Sequence, residues 1–138
     1  MLRIAGIINF ILSLGHLASL IRARQVFEAG GVGKEMAELS QIHPSLPYLL
    51  TVMVAIVLFV FGLYAFSADG RIRKLPLLKP VIFGIASLFI LRTFMGIAEM
   101  IFRGGVHIPL ELCYSSGSLA IGLLYLLGGL KKWRKIQD

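Results

Sequence analysis

A single cysteine, Cys113, stands in the whole chain, so neither an intrachain disulfide nor a C-x-x-C redox pair can form. That excludes the dithiol oxidoreductases that also work from small helical bundles in membranes. Charge is scarce too. Only 15% of the 138 residues are Asp, Glu, Lys or Arg, against about 25% in an ordinary soluble domain. Carboxylates are the scarcer half, seven against fourteen basic residues. No nucleophile–base spacing, metal-ligand spacing or cofactor fingerprint occurs. The nearest approach to one is Gly30–Lys34, but Glu28 and Glu35 occupy the places where a phosphate-binding loop needs Gly and Ser/Thr. These absences weigh against an enzyme, and no cofactor and no bound metal are expected.

What the chain has in excess is apolar surface. Hydrophobic residues make up 57% of it and the mean hydropathy is +0.85. A water-soluble fold of this length has too little interior to hide them. The bilayer is therefore the expected solvent, and a helix needs about 20 mostly apolar residues to cross it. Four stretches qualify, at about 4–21, 47–68, 80–102 and 109–130. The first exceeds a secretory-signal core in length and ends in Arg22, so it reads as a retained span. Pro47, Pro80 and Pro109 fall near the starts of the other three, where a missing N–H leaves no helical bond unmade. Met36, Leu39 and His43 recur at helical spacing in the 22–45 connection, which predicts a short helix over Lys34–His43 after a glycine turn.

The net charge of +7 is a topology signal, because the cations abut the apolar runs instead of building a basic face. Nucleic acid is not an expected partner. Arg71, Arg73, Lys74 and Lys79 face Asp69 alone in one connection, and Lys131, Lys132, Arg134 and Lys135 face Asp138 alone in the tail. In 22–45 the charges cancel, and Arg103 stands by itself in the last connection. The positive-inside rule then puts both termini in the cytoplasm. The expected fold is an all-α single domain, a four-helix transmembrane bundle with antiparallel sequential helices.

The stretch Phe61–Leu78 followed by Leu91-Arg92 resembles small uncharacterised four-helix bacterial integral membrane proteins. That resemblance implies an inner-membrane address and carries no activity. The chain is also similar in size to small multidrug resistance exporters. Those depend on a glutamate in the middle of span one, where this sequence has Asn9, Ser13 and His16.

Each span carries one face unlike lipid. At 100° per residue these faces are Asn9, Ser13 and His16; Thr51, Ala55, Gly62 and Ala65; Arg92, Gly96, Glu99 and Arg103; and Glu111, Ser115, Ser118, Gly122 and Tyr125. Small and hydroxylic residues on such faces ordinarily serve close helix packing and interhelical hydrogen bonds. Arg92 and Glu99 are different, since a charge at bilayer centre costs about 2.5–3.5 kcal/mol on insertion scales. Glu99 precedes Arg103 by four residues, the favourable order for a rim ion pair. Arg92 lies two turns deeper and has two open readings: a partner for Glu99, or a site for an anionic group.

His16, Glu99 and Glu111 suffice for a proton relay or metal set, but a lone histidine bonded between helices is commoner. The expected ligand-binding set is Arg92, Glu99, His16, Asn9, Ser13, Ser118 and Glu111. It would bind or transport a small anionic or zwitterionic ligand or lipid headgroup in a polar cavity. The alternative is a structural or accessory subunit whose intramembrane charges form an ion pair. Expected partners are membrane lipids, further copies of the chain, or another membrane protein.

Overall fold

The computed structural model describes residues 1–103 and 108–134; the side chains of Arg103 and Ile108, the 104–107 connection with His107, and the end of the tail lie outside the described residues. Among the described residues all regular structure is helical: α1 (Leu2–Ser19), α2 (Ala23–Ala29), α3 (Gly33–Ile42), α4 (Leu46–Ala68), α5 (Leu78–Arg103) and α6 (Ile108–Arg134), with a 3-10 turn, Leu20–Arg22, between α1 and α2. Among the described residues four helices are long and apolar enough to cross a membrane: Leu2–Ala29, Leu46–Ala68, Leu78–Phe102 and Pro109–Arg134.

These boundaries have local causes. Pro47 and Pro109 are the second residues of α4 and α6, and Pro80 the third of α5, all positions whose N–H has no intrahelical acceptor. Two glycines end helices by entering left-handed backbone. Gly31 (φ 77) closes α2 while Val32 N–H bonds Phe27 O, and Gly70 (φ 82) closes α4 while Arg71 N–H bonds Phe66 O. Both are Schellman stops, a conformation that costs any Cβ-bearing residue more than glycine. Gly128-Gly129, expected to end the last span, instead lie inside α6, which runs on to Arg134. Their hydrogens face neighbours: a Cβ on Gly128 would meet Leu2, and one on Gly129 would meet Ile82 and Phe83.

The chain divides into two compact units, Met1–Ile8 with Phe61–Asp138, and Asn9–Val60. In the first, α5 and α6 pack along their length. Ala86 and Ile90 receive Gly122, where a Cβ would lie 3.0 Å from Ile90 Cγ1 and 3.3 Å from Ala86 O. Phe89 stacks on Tyr125, and Phe83 meets Trp133. Tyr125 Oη donates to Phe61 O at 2.8 Å, tying α6 to the end of α4. The start of α1 enters the same unit through Leu2 against Gly128 and Gly6 against Phe66 and Ala65.

In the second unit, Ser13 Oγ donates to Ala55 O at 2.7 Å and Phe10 packs on Phe59, so α1 meets α4. Here α2, α3 and the start of α4 surround a cavity of about 440 Å³ lined by Phe27, Met36, Pro47 and Tyr48, with the exposed Arg24–Glu28 pair (3.3 Å) also in its wall.

Burial follows one stripe per spanning helix. Leu2, Ala5, Asn9 and Ser13 are buried on α1, and Thr51, Ala55, Leu58, Gly62 and Ala65 on α4. On α1 the positions between them, Ile4, Ile7, Ile11 and Leu14, are exposed. Apolar faces of that extent on every long helix fit hydrocarbon and not water.

Candidate functional site

Within α5 the buried stripe is Ile82, Ala86, Phe89, Thr93 and Gly96. Arg92 and Glu99, expected on one face with Gly96, flank this stripe and are exposed, while Gly96 is buried. One residue is 100° of rotation, so Thr93, next to Arg92 in sequence, takes the inward position. Its hydroxyl lies 3.0 Å from Phe89 O and 3.2 Å from Ser115 O, sharing one proton between the α5 and α6 backbones.

Arg92 finds its carboxylate on the neighbouring helix. Its Nη2 lies 3.8 Å from Glu111 Oε2, with 44% of the arginine side chain and 29% of the glutamate side chain exposed. Among the described residues this is the ion pair that Arg92 makes. A guanidinium extends well beyond its own Cα along the helix, so Arg92 reaches the first turn of α6. Gly96, one turn on, leaves the path open: a Cβ there would stand 2.9 Å from Arg92 Nη1 and 3.5 Å from Glu111 Oε2, and would collide with Ser115 Oγ. Glu111 lies in the first turn of α6, where the positive end of the helix dipole also favours a carboxylate.

The cluster is incompletely satisfied. Glu111 Oε2 and Ser115 Oγ are buried and, among the described residues, have no hydrogen-bond partner. A contact of 3.8 Å is an ion pair without a formed hydrogen bond. Arg92 therefore retains donor capacity on its exposed edge, since a guanidinium carries five N–H donors and never loses its charge.

The remaining expected residues have separate settings. Ser118 is partly buried on α6. In the other unit Asn9 is fully buried and Ser13 is committed to Ala55 O. His16 is partly buried, and its Nδ1 lies 2.8 Å from Leu12 O. A carbonyl only accepts, so Nδ1 carries the proton in this contact. Among the described residues no three His, Cys, Asp or Glu side chains are grouped so as to hold a metal ion. Gly96 and Ser115 complete the Arg92–Glu111 cluster; their signal in the sequence was the four-residue spacing of each from its charged neighbour.

Comparison with protein-family models, with curated proteins and with solved structures returned no match.

Proposed function

We propose that the chain is a multi-pass protein of the bacterial inner membrane that binds or transports a small anionic or zwitterionic ligand, or a lipid headgroup, at Arg92. In this reading its four spans form an antiparallel bundle with both termini in the cytoplasm. The charge balance of the connections supports the orientation. The order of contacts between α5 and α6, with Phe83 at Trp133 and Thr93 at Ser115, supports opposite directions for that pair.

The observation that carries the binding reading is the half-exposed Arg92 side chain, 3.8 Å from Glu111, beside buried Glu111 and Ser115 oxygens that among the described residues accept or donate no hydrogen bond. A ligand with an anionic group would take the exposed donors of Arg92, and an ammonium group in the same ligand would meet the accessible part of the Glu111 carboxylate. Glu111 orients the guanidinium without consuming its donors.

The test is mass spectrometry of small molecules and lipids that co-purify in mild detergent. A phosphate- or carboxylate-bearing species should accompany the unmodified protein, weaken with Arg92→Lys and vanish with Arg92→Leu. Identical profiles for all three would reject the site. A second reading, a structural or accessory subunit, draws on the same contact, because Arg92 and Glu111 join α5 to α6 within one protein. It expects a stoichiometric protein partner in the same purification and no ligand.

A further inference from the structure

A second charged surface lies in the unit formed by Met1–Ile8 and Phe61–Asp138. The contacts of its helix ends gather them together. Leu2 packs on Gly128, Gly129 on Ile82 and Phe83, and Trp133 on Phe83. The Lys132 ammonium reaches Ala68 O, a terminal carbonyl of α4, and lies over the Trp133 ring. The start of α1, the end of α4, the start of α5 and the end of α6 therefore share one end. This brings the basic connection 69–79 beside the basic end of α6.

Among the described residues, Arg3, the four cations of the connection and three of α6 stand there against the single carboxylate of Asp69. Arg71 takes that carboxylate at 3.4 Å. Arg73, Lys74, Lys79, Lys131 and Arg134 are exposed. Among the described residues none of these five is in an ion pair, so anions from outside can neutralise them.

The connection is held in place. Ser67 Oγ donates to Arg73 O at 3.0 Å and accepts from Leu75 N–H at 2.9 Å, so one buried hydroxyl pins the loop to α4. The loop also exposes two apolar side chains, Ile72 at 41% and Leu77 at 74%, the latter on left-handed backbone (φ 51). Cations interleaved with exposed aliphatic side chains, beside a tryptophan at the end of a spanning helix, match the headgroup layer.

We infer that this end is a binding surface for anionic phospholipid: the phosphates neutralise Arg73, Lys74, Lys79 and the α6 cations, while Ile72 and Leu77 enter the acyl boundary. An anionic lipid supplies charge and apolar chain together. An acidic soluble partner offers the first without the second. Each cation near an anionic surface contributes roughly fivefold to partitioning, and the effect is screened by salt.

The experiment uses the full chain purified in a mild neutral detergent and titrated with phosphatidylglycerol or with phosphatidylcholine of the same acyl chains. Thermal unfolding and lipid retention in native mass spectrometry are the readouts. Phosphatidylglycerol should raise the unfolding temperature and be retained on the order of a hundredfold more strongly than phosphatidylcholine, with the excess shrinking in 0.5 M salt (roughly a 4 Å screening length). The triple variant Arg73→Gln/Lys74→Gln/Lys79→Gln should lose most of that excess, whereas Arg24→Gln/Lys34→Gln should keep it. Because the loop cations also orient insertion, the salt titration of the unmodified protein stands as an independent readout. Equal retention of the two lipids, or an excess indifferent to salt, overturns the proposal. Arg92→Leu distinguishes this surface from the ligand site: loss of the phosphatidylglycerol effect in that variant would place the lipid at Arg92 and overturn the assignment to this end.

Discussion

The guanidinium of Arg92 on α5 and the carboxylate of Glu111 on α6 lie 3.8 Å apart over Gly96. Nineteen residues separate them in sequence, and the pair forms because α5 and α6 pack side by side and a glycine clears the space between. Its energetics decide between a structural pair and a ligand site.

If the pair is structural, Arg92→Leu leaves a buried carboxylate oxygen uncompensated. Breaking a fully buried pair typically costs about 3–5 kcal/mol; with both side chains partly exposed the expected loss is about 1–2 kcal/mol. The double variant Arg92→Leu/Glu111→Leu should then recover most of it, as read by thermal unfolding of both singles and the double in one detergent. Small additive losses instead would show that the two charges are not coupled to the fold and would favour the ligand site.

Gly96→Ala should destabilise the α5–α6 contact by about 1–3 kcal/mol, because the new methyl meets Ser115 Oγ and Arg92 Nη1. Gly84→Ala and Gly117→Ala are the controls: nothing lies within 4 Å of a Cβ at either. Each should match or slightly exceed the parent stability, by up to about 1 kcal/mol from helix propensity. Equal effects at all three glycines would remove the special role of Gly96.

Tyr125→Phe keeps the ring against Phe89 and removes the hydrogen bond to Phe61 O. Interhelical hydrogen bonds measured in a membrane protein average about 0.6 kcal/mol and reach about 1.7. A loss in that range is expected from SDS-induced unfolding. A loss well above it would mean that the hydroxyl holds more than one helix contact.

Reporter fusions test the orientation. A fusion within 69–79 or at the C-terminus should report cytoplasm, and one near Gly31 the opposite side. A C-terminal fusion that reports the opposite side of the membrane from one within 69–79 would break the four-span topology.

Hydropathy and proline spacing alone placed the long helices. The expected 47–68 span is Leu46–Ala68 in the structure, and the expected 34–43 helix is Gly33–Ile42. Helix hydrogen bonds are local and the requirement for apolar length is a property of each segment, so composition suffices for both. The inward stripes on α1 and α4 were legible for the same reason: one rotation angle per residue turns sequence into a face.

The pairing of charges was not legible. Hydropathy marked Arg92, Glu99 and Glu111 as costly residues, and rotation grouped Arg92 with Glu99 on one helix. Which carboxylate meets the guanidinium depends on the register between α5 and α6, set by Gly122 against Ala86 and Ile90 and by Thr93 against Ser115. Likewise, the sequence showed two basic segments far apart in the chain; contacts such as Lys132 with Ala68 O and Trp133 with Phe83 made them neighbours. Local hydrogen bonding and solvent preference are written residue by residue, whereas register and side-chain reach exist only once helices touch.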